Sequence, residues 1–147
     1  MPTPSPGMSY LVATDGSTES DEAVRYAARR AVAFYETLEI AHVLTPDSEL
    51  VDGTIILPGE DAAVEAGQGV LDSARAIAEE AVDEPITVET QLLTGRPADA
   101  ITEYAAEETV DAIYVGHRGL SEEREQVVGS VAKSVVDKAD VPVTVIR

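Results

Sequence analysis

The 147-residue sequence contains no cysteine and no tryptophan. Without cysteine there can be no disulfide, no thiolate metal site and no cysteine nucleophile. Aromatic residues are few, five Tyr and one Phe, so the core must be built from Ala, Val, Ile and Leu. Basic residues are also scarce, with ten Lys plus Arg against 28 Asp plus Glu. Binding to a nucleic-acid backbone needs a basic stripe, and none exists here, so no nucleic-acid partner is expected. The only histidines, His42 and His117, lack metal-ligand spacing; His42 sits in an apolar strand and reads as structural. No apolar run approaches the ~20 residues of a membrane span. The segment Met1 to Gly7 is rich in Pro and Ser and has no apolar stretch, unlike a signal peptide. Residues 1–8 are expected to form a disordered N-terminal tail ahead of one domain over 9–147, in a cytoplasmic protein.

What is present suits a globular chain: 44% of residues are hydrophobic and the mean hydropathy is -0.02. The length is that of a single domain with a real core. The net charge of -18 comes from carboxylates spread along the chain rather than gathered in a tail, which describes a solvated acidic surface. Such a charge repels itself in dilute buffer and is tolerated where salt screens it. The composition resembles that of proteins from salt-accumulating halophiles.

Apolar, β-branched runs alternate with segments of helical period. Strands are expected at Tyr10–Thr14, Leu38–Leu44, Ile86–Leu93, Ala112–Val115 and Val141–Ile146. Between them, helices are expected over Ser17–Tyr35, Glu60–Val82, Pro97–Glu108 and Ser130–Ala139. The first has Ala23, Ala27, Ala31 and Phe34 at helical spacing, and the last has Val131 and Val135 in register. Strand–helix alternation through a whole chain implies an α/β fold, a parallel sheet covered on both faces. Leu44 to Gly59 reads as a surface loop, with two Pro and two Gly.

After the fourth strand come Gly116-His117-Arg118-Gly119, nine residues, then Gly129-Ser130 at the start of the last helix. A phosphate needs several N–H donors aimed at one place. Glycine lets the backbone approach closely, and a helix N-terminus adds free N–H groups and a positive dipole end. Gly116 and Gly119 would form the near wall of such a site, Gly129 and Ser130 the far wall. A lone glycine more often just shapes a turn; the spaced set, placed between a strand and a helix start, is a more specific signal. Other phosphate motifs are absent.

Asp15 ends the first strand. It can cap the following helix, or accept hydrogen bonds from a ribose hydroxyl or an adenine amine. In doubly wound sheets the ligand crevice lies at the carboxyl ends of the strands, where strand order reverses. If strands one and four are neighbours there, Asp15 and Gly116 lie side by side. Val43, near the end of strand two, would offer backbone groups to a base edge.

At this point the chain from Ser9 to Arg147 resembles a single-domain universal stress protein. The resemblance rests on Asp15 within Ala13-Thr14-Asp15-Gly16-Ser17, on the Gly95-Arg96-Pro97 turn, on Gly116 to Ser121, on Gly129 to Val136 and on the closing Val141 to Ile146. It implies a doubly wound, Rossmann-like fold: a five-stranded parallel sheet in the order 3-2-1-4-5 with helices on both faces. It implies ATP or AMP as ligand, with Mg or Mn as a companion of a triphosphate. Ala13 would line the base pocket, and Asp15 and Val43 would hold adenine and ribose. Gly116, Arg118, Gly119, Gly129, Ser130 and Val131 would wrap ribose and phosphates. It also implies a homodimer formed through the strand Val141 to Ile146, which is apolar and placed to be a sheet edge. Two features depart from the family. The segment Leu120 to Val128 carries Glu122, Glu123 and Glu125 against Arg124 alone, and Lys133 stands where relatives often have Glu.

The function expected is that of an adenine-nucleotide-binding stress-response regulatory homodimer with no catalytic residues and no resident metal. A dimeric adaptor of the same fold that binds no nucleotide is the alternative, and a slow ATPase a more distant one.

Overall fold

The computed structural model describes residues 8–44, 49–51, 54–56, 61–117 and 130–147. In chain order the elements are β1 (Ser9–Ala13), α1 (Thr18–Ala33), β2 (Thr37–Leu44), β3 (Glu49–Val51), β4 (Thr54–Ile56), α2 (Asp61–Ala81), β5 (Val88–Thr94), α3 (Pro97–Glu107), β6 (Ala112–Gly116), α4 (Ser130–Lys138) and β7 (Val143–Ile146). Five strands form one parallel sheet in the order β5-β2-β1-β6-β7. Counting only its own strands, that is the expected 3-2-1-4-5.

Side-chain alternation sends each strand's residues to two separate cores. On one face Val12, Leu38, Ile40, Val88 and Tyr114 pack with Ala23, Ala27, Ala28 and Ala31 of α1 and Leu71, Ala74 and Ala78 of α2. On the other, Leu11, Ala41, Ile113 and Val115 pack with Ala98, Ile101 and Ala105 of α3 and Ala132 and Val135 of α4. Alanine dominates the buried helix faces because aromatic bulk is scarce; the helices can then lie close to the sheet, and Val, Ile and Leu of the strands fill the remaining space.

Several expectations are corrected. The segment 44–59 is not simply a loop: Glu49–Val51 pairs antiparallel with Thr54–Ile56. An Asp-Gly dipeptide between two short apolar runs favours a hairpin, and Asp52-Gly53 is such a dipeptide. Phe34 is not on the inner face of α1, which ends at Ala33; Phe34 caps the helix and is 53% exposed, with the Arg30 guanidinium 5.0 Å from its ring centre. Val131 points outward, and Ala132 takes the buried place beside Val135. Pairing of the last strand starts at Val143: Pro142 has no N–H to donate, although its carbonyl accepts from Ile113 N–H at 2.9 Å.

At the amino edge of the sheet two carboxylates are buried. Glu39 accepts from Ser9 Oγ at 2.6 Å and from the Tyr104 hydroxyl. Burial, and then the bond to Glu39, push the Tyr104 phenol up. Glu36, at the start of β2, is raised to about 7 by burial first, then by a hydrogen bond with Asp111 and by its charge.

Candidate functional site

The chain runs β1, β2, β5 outward on one side, then returns to lay β6 and β7 on the other side of β1. Strand order therefore reverses between β1 and β6, the place where a crevice opens at the carboxyl edge of such a sheet. With Val12 opposite Tyr114, β1 and β6 end side by side.

The turn after β1 is closed by hydroxyls and one carboxylate. Asp15 Oδ1 accepts from Ser17 N–H at 2.9 Å and from Ser20 Oγ at 3.1 Å. Ser17 is the helix cap, its Oγ accepting from Ser20 N–H at 3.2 Å. Thr14 Oγ1 accepts from Gly16 N–H at 3.1 Å and lies 3.1 Å from Ser20 Oγ. Gly16 has φ of +83°, a conformation that glycine adopts without strain. Asp15 thus belongs to a turn stabilising the start of α1 without being the cap itself. The spacing Ser17-x-x-Ser20 is the sequence signal for this network.

Gly116 has a packing role. A Cβ there would stand 2.8 Å from both the carbonyl carbon and oxygen of Glu19, and 3.0 Å from Ser20 N. The first turn of α1 therefore rests directly on the end of β6, which joins the Asp15 turn to the glycine segment. His42 is structural, as expected. Its Nδ1 lies 2.8 Å from the Thr14 carbonyl oxygen; since a carbonyl can only accept, Nδ1 carries the proton and ties the end of β2 to the end of β1.

Ala13 and Val43 are half-buried and pack on the α3–α4 side of the sheet. Ser130 opens α4 on that same side, with no acidic residue in the first turn. Ser130 and Val131 are exposed, while Ala132 is buried in the cluster that holds Val115. Lys133 is an exposed side chain. Arg118, Gly119 and Gly129, and the acidic segment 120–128, lie outside the described residues. Ala13, Asp15, Val43, Gly116 and Ser130 are thus all at the carboxyl edge, around β1 and β6. His117, which follows Gly116 there, is only 9% exposed.

This edge offers the start of α4, small side chains on the same side of the sheet, and a carboxylate held by hydroxyls. Such a set suits a ligand with an anionic end and a hydrogen-bonding polar end. Among the described residues no group of three or more His, Asp or Glu is placed to hold a metal ion, and no helix is long and apolar enough to cross a membrane.

Comparison with known proteins agrees with this architecture. The model of the Universal stress protein family matches residues 9–147. The chain is 30% identical to universal stress protein YxiE of Bacillus subtilis over 146 residues, 93% of this chain and 97% of that one. Among solved structures it resembles a universal stress protein in complex with cAMP, with a TM-score of 0.71 and 28% identity over 95% of this chain and 96% of that one. It also resembles the universal stress protein from Archaeoglobus fulgidus in complex with dAMP, with a TM-score of 0.72 and 26% identity over 95% and 98% of the two chains.

Proposed function

The chain belongs to the universal stress protein family, and from that premise we propose that it is an adenine-nucleotide-binding regulatory protein acting as a homodimer in a salt-rich cytoplasm. The observation that carries the reading is the meeting of two segments distant in sequence: the first turn of α1, just after Asp15, rests on Gly116 at the end of β6. On the other face of the sheet, Ala132 of α4 and Val115 of β6 belong to one buried cluster. Two structurally similar proteins hold cAMP and dAMP, both adenine nucleotides with a phosphate.

In this proposal the base lies against Ala13, with Asp15 and Val43 holding adenine and ribose. The phosphates sit at the start of α4, wrapped by Gly116, Arg118, Gly119, Gly129, Ser130 and Val131. Backbone N–H groups and the dipole of α4 supply the anion binding. ATP or AMP is the expected ligand, and any Mg or Mn would arrive with a triphosphate. The dimer forms through β7, an edge strand whose four residues Val143 to Ile146 are only half-buried in one chain. An apolar edge of this kind needs a pairing partner or a shield.

The test is chemical. Protein purified at high salt is extracted with acid and the extract chromatographed; adenine nucleotide is the expected product. Gly129→Val should abolish binding of added AMP or ATP. Absence of nucleotide, together with no binding of either at molar KCl, overturns the proposal in favour of a nucleotide-free adaptor.

A further inference from the structure

Three of the chain's six aromatic residues, Tyr26, Phe34 and Tyr35, are exposed, at 40%, 53% and 54%. They lie together, on the outer face of α1 and the turn that ends it. Single exposed apolar side chains are ordinary; half of a scarce residue class gathered on one helix is not. The inner face of α1, with Ala23, Val24, Ala27, Ala28 and Ala31, is buried against the sheet and α2. The outer stripe is Glu22, Tyr26, Arg29, Arg30, Ala33 and Phe34, all exposed. The Arg30 guanidinium lies 6.0 Å from the Tyr26 ring centre and 5.0 Å from that of Phe34, so the two rings and the cation between them form one ridge. Arginine and aromatic side chains are the usual anchors of protein interfaces.

The exit of α1 is a second sign. Tyr35 N–H donates to the Val32 carbonyl at 3.3 Å and Glu36 N–H to the Ala31 carbonyl at 2.8 Å. A helix closed in this way places the residue after its cap in the left-handed region, where glycine is usual. Tyr35 stands there with φ of +58°. A bulky residue is strained in that region, and a ring more than half exposed gains little inside the chain in return.

The stripe also indicates what covers it. Glu22 stands four residues before Tyr26, and Arg30 four residues after it, so the three follow one face at about one turn apart. The pattern is complementary to itself when reversed. In an antiparallel pair of α1 helices centred on Tyr26, each Glu22 faces the partner's Arg30, once on each side of a two-fold axis. Among the described residues neither Arg29 nor Arg30 is in a salt bridge. Glu22 accepts from Arg25 Nη1 at 2.7 Å through Oε1, and a carboxylate can accept several such bonds.

We propose that the outer face of α1 is a self-association surface, on which a second copy of this chain docks antiparallel about a two-fold axis at Tyr26. The proposal is independent of nucleotide binding and of the pairing of β7, because this face points away from the sheet whose edge β7 forms. Two such two-fold contacts on one chain combine, so that β7 pairs would be joined through α1 into larger assemblies. One helix pair falls short of the ~1,600 Å² of a standard interface, and the association is therefore weak and concentration-dependent. The net charge of -18 on each copy opposes it at a distance. In molar KCl that repulsion reaches only about 3 Å, which leaves the contacts between rings and opposite charges to act.

The experiment is sedimentation velocity of the full chain in molar KCl, from about 1 µM to about 1 mM. The mass of wild type should double as concentration rises, from monomer to dimer, or from dimer to tetramer where β7 pairs. Glu22→Arg and Arg30→Glu should each lose that doubling, since like charges then meet twice. Mixed one to one, the two variants should regain it, because the mixed pair sets arginine against glutamate at both contacts. Circular dichroism checks that both are folded. Glu22→Arg changes only an exposed side chain outside the ring stack, and it decides alone if Arg30→Glu does not fold. No doubling in wild type, a doubling that Glu22→Arg retains, or two folded variants that do not rescue each other overturns the proposal. AMP binding by Glu22→Arg should equal that of wild type, so none of these outcomes bears on the nucleotide reading.

Discussion

The carbonyl of Glu19 lies where the Cβ of any residue but glycine would stand at position 116: 2.8 Å separates the ideal Cβ from the Glu19 carbonyl oxygen. Gly116→Ala must therefore push backbone against backbone, with no flexible side-chain end to give way. Overpacking of this kind costs on the order of 1–3 kcal/mol. We expect that loss in denaturant unfolding at molar KCl, together with weaker AMP binding because the Asp15 turn moves with α1. Unchanged stability would show that the helix start is not held there.

Glu36 makes the stability depend on pH. Its carboxyl is raised from 4.5 to about 7 in the folded chain, by burial first and then by Asp111. Tyr10 on β1, whose phenol is pushed up by burial and then by Glu36, faces the same cluster. The folded state holds the proton more tightly than the unfolded state. The contribution is thus fully present below about 4.5, is lost as pH rises to about 7, and is constant above that. Glu36→Gln carries no charge to bury, so at pH 8 it should be more stable than wild type by on the order of 1–3 kcal/mol. Thermal unfolding from pH 4 to 8 checks this; parallel profiles for the two proteins would contradict it.

The buried Glu39 side chain accepts from Ser9 and Tyr104. Tyr104→Phe removes one of these donors and leaves the acceptor in place, an asymmetric loss that costs about 1–3 kcal/mol. Pairing it with Ser9→Ala in a double-mutant cycle should give a coupling, because both donors serve one carboxylate. Strict additivity would mean that the two bonds act independently.

The net charge of -18 sets the salt response. Exposed like charges repel over about 10 Å at 0.1 M salt and about 3 Å at 1 M. The unfolding midpoint should therefore climb as KCl is raised from 0.1 to 2 M, with most of the gain in the lower half of that range. A midpoint independent of KCl would show that repulsion among the surface carboxylates does not limit stability.

Much of the fold was legible because period and burial coincide. Ala23, Ala27 and Ala31 recur at helical spacing and are fully buried, as are Leu11 and Val12 of β1 and Ile40 and Ala41 of β2. Where reading failed, local chemistry had been given too little weight. Asp52-Gly53 signalled the β3–β4 hairpin, and Phe34 falls one residue past the last turn of α1, where a periodic face no longer has meaning.

The candidate site was legible in its parts and less so in their roles. Asp15 and Gly116 follow the ends of neighbouring strands, but the backbone that Gly116 accommodates is Glu19's, which depends on where α1 lands, and no spacing within the motif encodes that. His117 stands inside the glycine segment, yet the burial of its Nε2 is a property of three dimensions. The same holds for Glu36 and Asp111, brought together across β1 from turns far apart in sequence.

The most direct test of the account is a crystal structure of the chain grown with AMP in high KCl. The phosphate should lie at the start of α4 beside Ser130, with the ribose or base within hydrogen-bond reach of Asp15. AMP bound elsewhere, or side chains filling the space between the Asp15 turn and Ser130, would contradict it.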